Sequence, residues 1–238
     1  MISFAFLAID TSSNAASVAL MEDNLLLGEF VLNHKKTHSQ EIMPMIDEVL
    51  RRCECDVKDI DLFAAAKGPG SFTGLRIGIA TIKGLAHSVN KPVIGISTLE
   101  GLGFNLPYSE HTIVPIMDAR RNQVYTAAYL WDEGEMREIG EPEAMSIEEC
   151  VESCGNFLET VFLGDGVPVY RDYIIEKLGD KAYFAPASCN MQKASSIAAL
   201  AFKYKDNAES YYGLEPVYLR KSQAEREREE KLAKEGSK

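Results

Sequence analysis

No stretch of the chain reaches the ~18 consecutive apolar residues that a membrane-spanning helix needs. The apolar opening, MISFAFLAI, stops at Asp10 and has no basic residue before it. A signal peptide carries a positive start and a cleavable apolar core, so a cytoplasmic chain without a membrane partner is expected. Cysteine is sparse and odd in number: Cys53, Cys55, Cys150, Cys154 and Cys189. They form C-x-C and C-x3-C spacings, without the C-x2-C pairs of zinc sites. Reduced thiols are therefore expected rather than disulfides, and no metal. Histidine is scarce as well: His34, His38, His87 and His111. His34 and His38 have the i, i+4 spacing of a helical metal pair, but His34 precedes the helix expected there, so both read as surface residues. Positive charge is also in deficit, with 25 Lys+Arg against 36 Asp+Glu and a net charge of −11. Such a surface repels phosphate backbones, so if the chain serves an RNA pathway, the RNA is expected to be reached only indirectly, through another protein.

What remains is ample for a core: 238 residues, 46% of them hydrophobic. Residues 3–9 form an unbroken apolar run and read as a buried strand. Residues 16–21 and 25–32 read as a hairpin. A helix is expected over 39–52, with Ile42, Met45, Ile46, Val49 and Leu50 at helical spacing and Pro44 inside the pattern. A strand over 60–66, a Gly/Pro loop, a helix over 75–89 and a strand over 92–96 complete the first half.

The second half echoes the first. LAIDTSSNAASVAL compares with PIMDARRNQVYTAAYL; Asp10 and Asp118 are 108 residues apart, as are Asn14 and Asn122. A third strand (about 136–139), a helix (146–154), a strand (160–163) and a later helix (194–204) continue the parallel. Self-similarity at a fixed offset suggests a duplicated α/β unit. The expected division is a first lobe over 1–110, a second over 111–219 and a charged tail over 220–238, which reads as a solvated helix or a partner-binding segment.

The loop GPGSFTGLRIG, Gly68 to Gly78, follows a strand and opens a helix, where backbone N–H groups can hold an anion. It is not a Walker A loop, because Leu75 and Arg76 follow Gly74, and its G-x-G-x3-G spacing is not the dinucleotide fingerprint. It reads first as a tight turn. Asp10 reads as a cap on the turn or, together with Thr11, Gly68 and Gly70, as the relic of a phosphate site that the family resemblance described next implies. Ser12, Ser13, Ser71 and Ser97 lack a G-x-S-x-G elbow or a triad pattern.

GPGSFTGLRIGIATIKGLA, followed by KPVIGISTLEGL, resembles the TsaB family. LAIDTSSNAASVAL, HSQEIMPMIDEVL, MDARRNQVY and EPVYLR extend the likeness from about residue 5 to 220. The resemblance implies an α/β actin/sugar-kinase/Hsp70-like fold of two lobes, each with a mixed sheet and helices. It implies a non-catalytic scaffold or activator for threonylcarbamoylation of the adenosine beside the tRNA anticodon. The implied partners are the catalytic paralogue TsaD and the ATPase TsaE, with homodimerisation when alone. The chain would hold no cofactor of its own; ATP and a metal would sit on the catalytic partner. The TsaD paralogues carry HLEGH downstream of the GPG loop. Here the segment is Thr98-Leu99-Glu100-Gly101-Leu102, without either histidine. An ATP-dependent phosphotransferase of the sugar-kinase type and a peptidase are the rival readings.

On the helix over 75–89, Leu75, Gly78, Ile79, Ile82, Leu85, Ala86 and Val89 share one apolar side, and Arg76, Lys83 and His87 a polar stripe. Ile77, Ala80, Thr81, Gly84 and Ser88 form a second seam of mostly small residues, and the first helix adds Met43 and Leu50 at its edge. A seam of this kind either packs inside the chain or receives another subunit's helices. The TsaB resemblance favours the second, making these seven residues the expected partner interface.

Overall fold

The computed structural model describes residues 3–33 and 37–220. The expectations for the His34/His38 pair and for the tail beyond Arg220 lie outside the described residues. No helix among those described is long and apolar enough to cross a membrane.

The first half folds as β1 (Ala5–Asp10), β2 (Ala16–Glu22), β3 (Leu25–Leu32), α1 (His38–Arg52), β4 (Leu62–Gly68), α2 (Phe72–Val89), β5 (Val93–Ser97) and the short α3 (Thr98–Gly103). Its sheet has the order β3-β2-β1-β4-β5. The central strand β1 pairs antiparallel with β2 and parallel with β4. Both faces of β1 are covered, which is why its sequence is a continuous apolar run rather than an alternation. Leu7 and Ile9 pack with Ile42, Ile46 and Val49 of α1 and Ile79 and Ile82 of α2. Phe6 and Ala8, pointing the other way, pack with Ile197, Ala198 and Ala201 of α6 (Ala194–Lys203).

The second half repeats this arrangement with β6 (Thr112–Asp118), β7 (Gln123–Asp132), β8 (Glu135–Ser146), α4 (Ile147–Cys154), β9 (Thr160–Leu163), α5 (Val167–Leu178) and β10 (Ala182–Phe184). The order β10-β9-β6-β7-β8 is the first sheet's order read backwards, with β6 antiparallel to β7 and parallel to β9. The duplication is thus a matter of topology as well as of matched residues.

Three details differ from the sequence reading. The helix matching α2 in the second copy is α5, not the one at 194–203. Only Val167, Tyr170 and Ile174 of α5 are buried, so its periodicity is faint, while α6 reads more strongly because nearly all of it is apolar. Strand β8 runs for 12 residues, far beyond 136–139; as an edge strand it tolerates Pro142 and its many glutamates. The cores also cross the boundary at 110: Leu99 and Leu102 of α3 pack under the second sheet, while α6 packs on the first. Pro44 stands mid-helix in α1 on an exposed face, where the carbonyl it leaves free can meet water.

Candidate functional site

Two places in this fold are built from the residues singled out in the sequence: the cleft where the lobes meet, and the outer face of α2.

The cleft lies where the central strands end. β1 delivers Asp10 and β6 delivers Asp118, while the turns after β4 and β9 supply Gly68-Pro69-Gly70 and Gly164-Asp165-Gly166. Between them is a cavity of about 360 Å³ whose lining includes Ser12, Ser71, Asp118, Arg120, Tyr125 and Asp165. Asp10 is fully buried, and its Oδ1 accepts from Ser12 N (2.8 Å) and Ser12 Oγ (2.6 Å). Desolvation pushes its pKa up to about 6 against those two hydrogen bonds. Burial also raises Asp165, whose Oδ1 accepts the Asp118 N–H at 3.2 Å. Asp165 was not picked out from the sequence; the Gly-x-Gly between a strand and a helix, as in Gly68–Gly70, was the available signal. Arg120 is 3.5 Å from Asp118, and it opens a turn, Arg120-Arg121-Asn122, that is left-handed at all three residues.

The predicted phosphate-site residues come together here, but their geometry is that of a packed joint. Ser71 N donates to Ser12 O at 2.6 Å, Gly74 N to Ser71 Oγ at 3.2 Å, and Thr11 Oγ1 to Gly74 O at 2.8 Å. Those two N–H groups at the head of α2 are therefore committed within the protein. A Cβ on Gly70 would strike Ser12 O; on Gly74, Thr11 O; on Gly78, Thr11 Oγ1. Glycine at every fourth position lets the β1 turn lie directly on α2, and Gly68 does the same for Val217 O. Two carboxylates, Asp118 and Asp165, around one arginine make the remaining space poor for an anion.

The serines are similarly occupied. Ser12 Oγ donates to Asp10, Ser13 Oγ to Gln192 Oε1 at 2.7 Å, and Ser71 and Ser97 cap α2 and α3. The histidine that reaches this turn, His38, contacts the Ser13 carbonyl oxygen at 2.8 Å rather than its hydroxyl. Thr98 and Leu102, where TsaD paralogues have histidines, are buried in the core. No three His, Cys, Asp or Glu side chains among the described residues are placed to share a metal ion.

On α2, Ile79, Ile82 and Ala86 pack in the core beneath the sheet, and Leu75 is buried as well. The polar stripe read in the sequence, Arg76, Lys83 and His87, docks the C-terminal segment. Lys83 Nζ donates to the carbonyls of Tyr212 and Leu214, both at 3.1 Å. His87 lies 5.0 Å from the Tyr211 ring, and Arg76 Nε donates to Tyr218 Oη at 3.0 Å. Leu214 enters the first core, Val217 N donates to Lys67 O, and Arg220 reaches across to Ala119 O of the second lobe. This strap was missed from the sequence; its signal is a run of aromatic and apolar residues, YYGLEPVYL, just before a charged tail.

Sheet and strap thus take two sides of α2, and the third is the predicted seam. Ala80, Gly84 and Ser88 are exposed, Ile77 and Thr81 half-buried, and a Cβ on Gly84 would meet nothing within 4 Å among the described residues. Met43 of α1, the first helix's contribution to the predicted interface, is 47% exposed. Leu50 is the exception: at 6% exposure it belongs to the core. The chain after α1 folds back over it, with Cys55 N donating to Leu50 O and Cys53, Cys55 and Val57 packing on that core.

A family model described as TsaD, tRNA N6-adenosine threonylcarbamoyltransferase, matches residues 26–228. The tRNA threonylcarbamoyladenosine biosynthesis protein TsaB of Bacillus subtilis (strain 168) is 34% identical over 220 residues, covering 92% of this chain and 95% of its own. Among solved structures, a Pseudomonas aeruginosa protein described as uncharacterized with similarity to peptidase YEAZ has a TM-score of 0.77 at 26% identity, over 91% of this chain and 100% of its own. The (R)-2-hydroxyglutaryl-CoA dehydratase component A of Acidaminococcus fermentans has a TM-score of 0.51 at 12% identity, over 86% of this chain and 100% of its own, a likeness of fold alone. The architecture is the two-lobed actin/sugar-kinase/Hsp70-like one. With near-complete coverage of a relative more than 30% identical, this chain belongs to the TsaB family.

Proposed function

We propose that this chain is a non-catalytic subunit in the synthesis of threonylcarbamoyladenosine on tRNA, acting by pairing its α1/α2 face with a catalytic paralogue of the TsaD type. The observation that carries this reading is the uncovered small-residue seam of α2. A helix interior loses about 1 kcal/mol for each glycine relative to alanine. At Gly78 that loss is offset by contact with Thr11, but at Gly84 nothing among the described residues requires it. Close approach of another subunit's helix supplies the reason. The same face would pair two copies when the catalytic partner is absent.

The committed donors of the GPG loop, the capped serines and the buried Thr98 and Leu102 support placing catalysis, ATP and metal on the partner. A TsaE-type ATPase is a further expected partner, and tRNA is reached through the assembly. The test is threonylcarbamoyl transfer to tRNA by the purified paralogue and ATPase, with and without this chain. Transfer should require the chain, and the Ala80→Glu chain should fail to support it while remaining folded. Full activity of the paralogue alone, or transfer catalysed by this chain alone, would overturn the proposal. Calorimetry with ATP and Mg²⁺ separates the kinase reading, which needs tight binding to the isolated chain.

A further inference from the structure

We propose that Arg76 is a pre-organised receptor for a carboxylate side chain on the partner subunit, set at the rim of the α2 seam. The inference rests on the pairing proposed above. Arg76 is exposed in the first turns of α2, one turn before Ala80. Its guanidinium carbon lies 3.9 Å from the centroid of Phe72, and the Phe72 and Tyr218 rings stack at 4.5 Å. Its Nε donates to Tyr218 Oη at 3.0 Å. The plane and the inner edge of the guanidinium are therefore fixed by a residue of α2 and a residue of the strap. Among the described residues, no hydrogen-bond acceptor meets its outer nitrogens, Nη1 and Nη2.

A long exposed side chain normally forfeits rotamer freedom when it forms an ion pair. Here the stacking and the Tyr218 hydrogen bond have already restricted it, so a ligand meets an ordered fork of donors. A planar fork at an interface rim suits the two oxygens of one carboxylate. A phosphate backbone would need several cations side by side, yet the neighbouring Lys83 is engaged with two strap carbonyls. In a chain of net charge −11, a fixed cation beside an apolar seam also sets the orientation of an acidic partner residue.

The test uses the full chain and the purified catalytic paralogue from the same organism, with affinity measured at low and high salt. Arg76→Glu should weaken association by about tenfold or more and Arg76→Gln by somewhat less, both flattening the salt dependence. Tyr218→Phe, which keeps the charge but loosens the fork, should weaken it by about two- to fivefold. Melting curves should match the wild type. The inference is overturned if Arg76→Glu and Arg76→Gln bind with wild-type affinity and salt dependence while Gly84→Arg does not. It is equally overturned if they alter only tRNA retention in a gel shift, which would make Arg76 an RNA contact. If the wild-type chain does not bind the paralogue at all, the pairing itself is wrong and the receptor falls with it.

Discussion

Asp10 carries the clearest consequence at the scale of single residues. Its folded pKa, about 6, lies above the ordinary 3.8, so the folded state holds a proton there that the unfolded chain has lost. Stability from this group is greatest below pH 4 and falls as pH rises through 6. Asp10→Asn keeps an oxygen for Ser12 and removes the buried charge. It should raise stability at pH 7.5 by on the order of 2 kcal/mol and flatten the difference between melts at pH 4.5 and 7.5. An unchanged pH slope would show that Asp10 is not the group responsible. The two helix glycines should part company under the same substitution. Gly78→Ala drives a methyl into Thr11 and should cost about 1–3 kcal/mol in urea unfolding. Gly84→Ala, facing open space, should gain up to about 1 kcal/mol. In the sequence periodicity already puts the two on different sides of α2, but it does not place either against a particular neighbour. Leu50 shows the same limit: its spacing marks an edge position, and only the turn through Cys53–Cys55 decides that the edge is covered.

Among the elements, those with long apolar patterns were legible. β1, β2, α1 and α2 emerge from the sequence because each buries a full stripe; the seam's place on α2 follows from helical geometry, whereas its reading as a partner face rests on the TsaB resemblance. The elements that were missed or misassigned depend on partners distant in sequence. α5 buries few residues, β8 survives as an edge through pairing with β7, and α6 belongs to the sheet formed by the first hundred residues. The strap is the extreme case, since its lysine and its carbonyls are separated by some 130 residues. Lys83→Ala should release it. Limited proteolysis is then expected to cut between Tyr211 and Tyr218 in the variant before any cut in the wild type, with a loss of about 1–3 kcal/mol. Resistance equal to the wild type would mean that Leu214 and Val217 hold the strap unaided.

For the whole molecule, two lobes of one topology enclose a cleft lined with carboxylates, while no other described residues cover the outer face of α2. The net charge of −11 predicts that the isolated chain fails to retain tRNA in a low-salt gel shift; nanomolar retention would mean that it grips RNA directly. The claim on which the account turns is that the seam is a docking surface. Sedimentation velocity of the chain mixed with its catalytic paralogue, for the wild type and for Gly84→Arg, tests this most directly, with circular dichroism melts on the same samples. The account predicts a stable complex for the wild type and separate monomers for Gly84→Arg, with equal melting temperatures. A Gly84→Arg protein that assembles with wild-type affinity would contradict it.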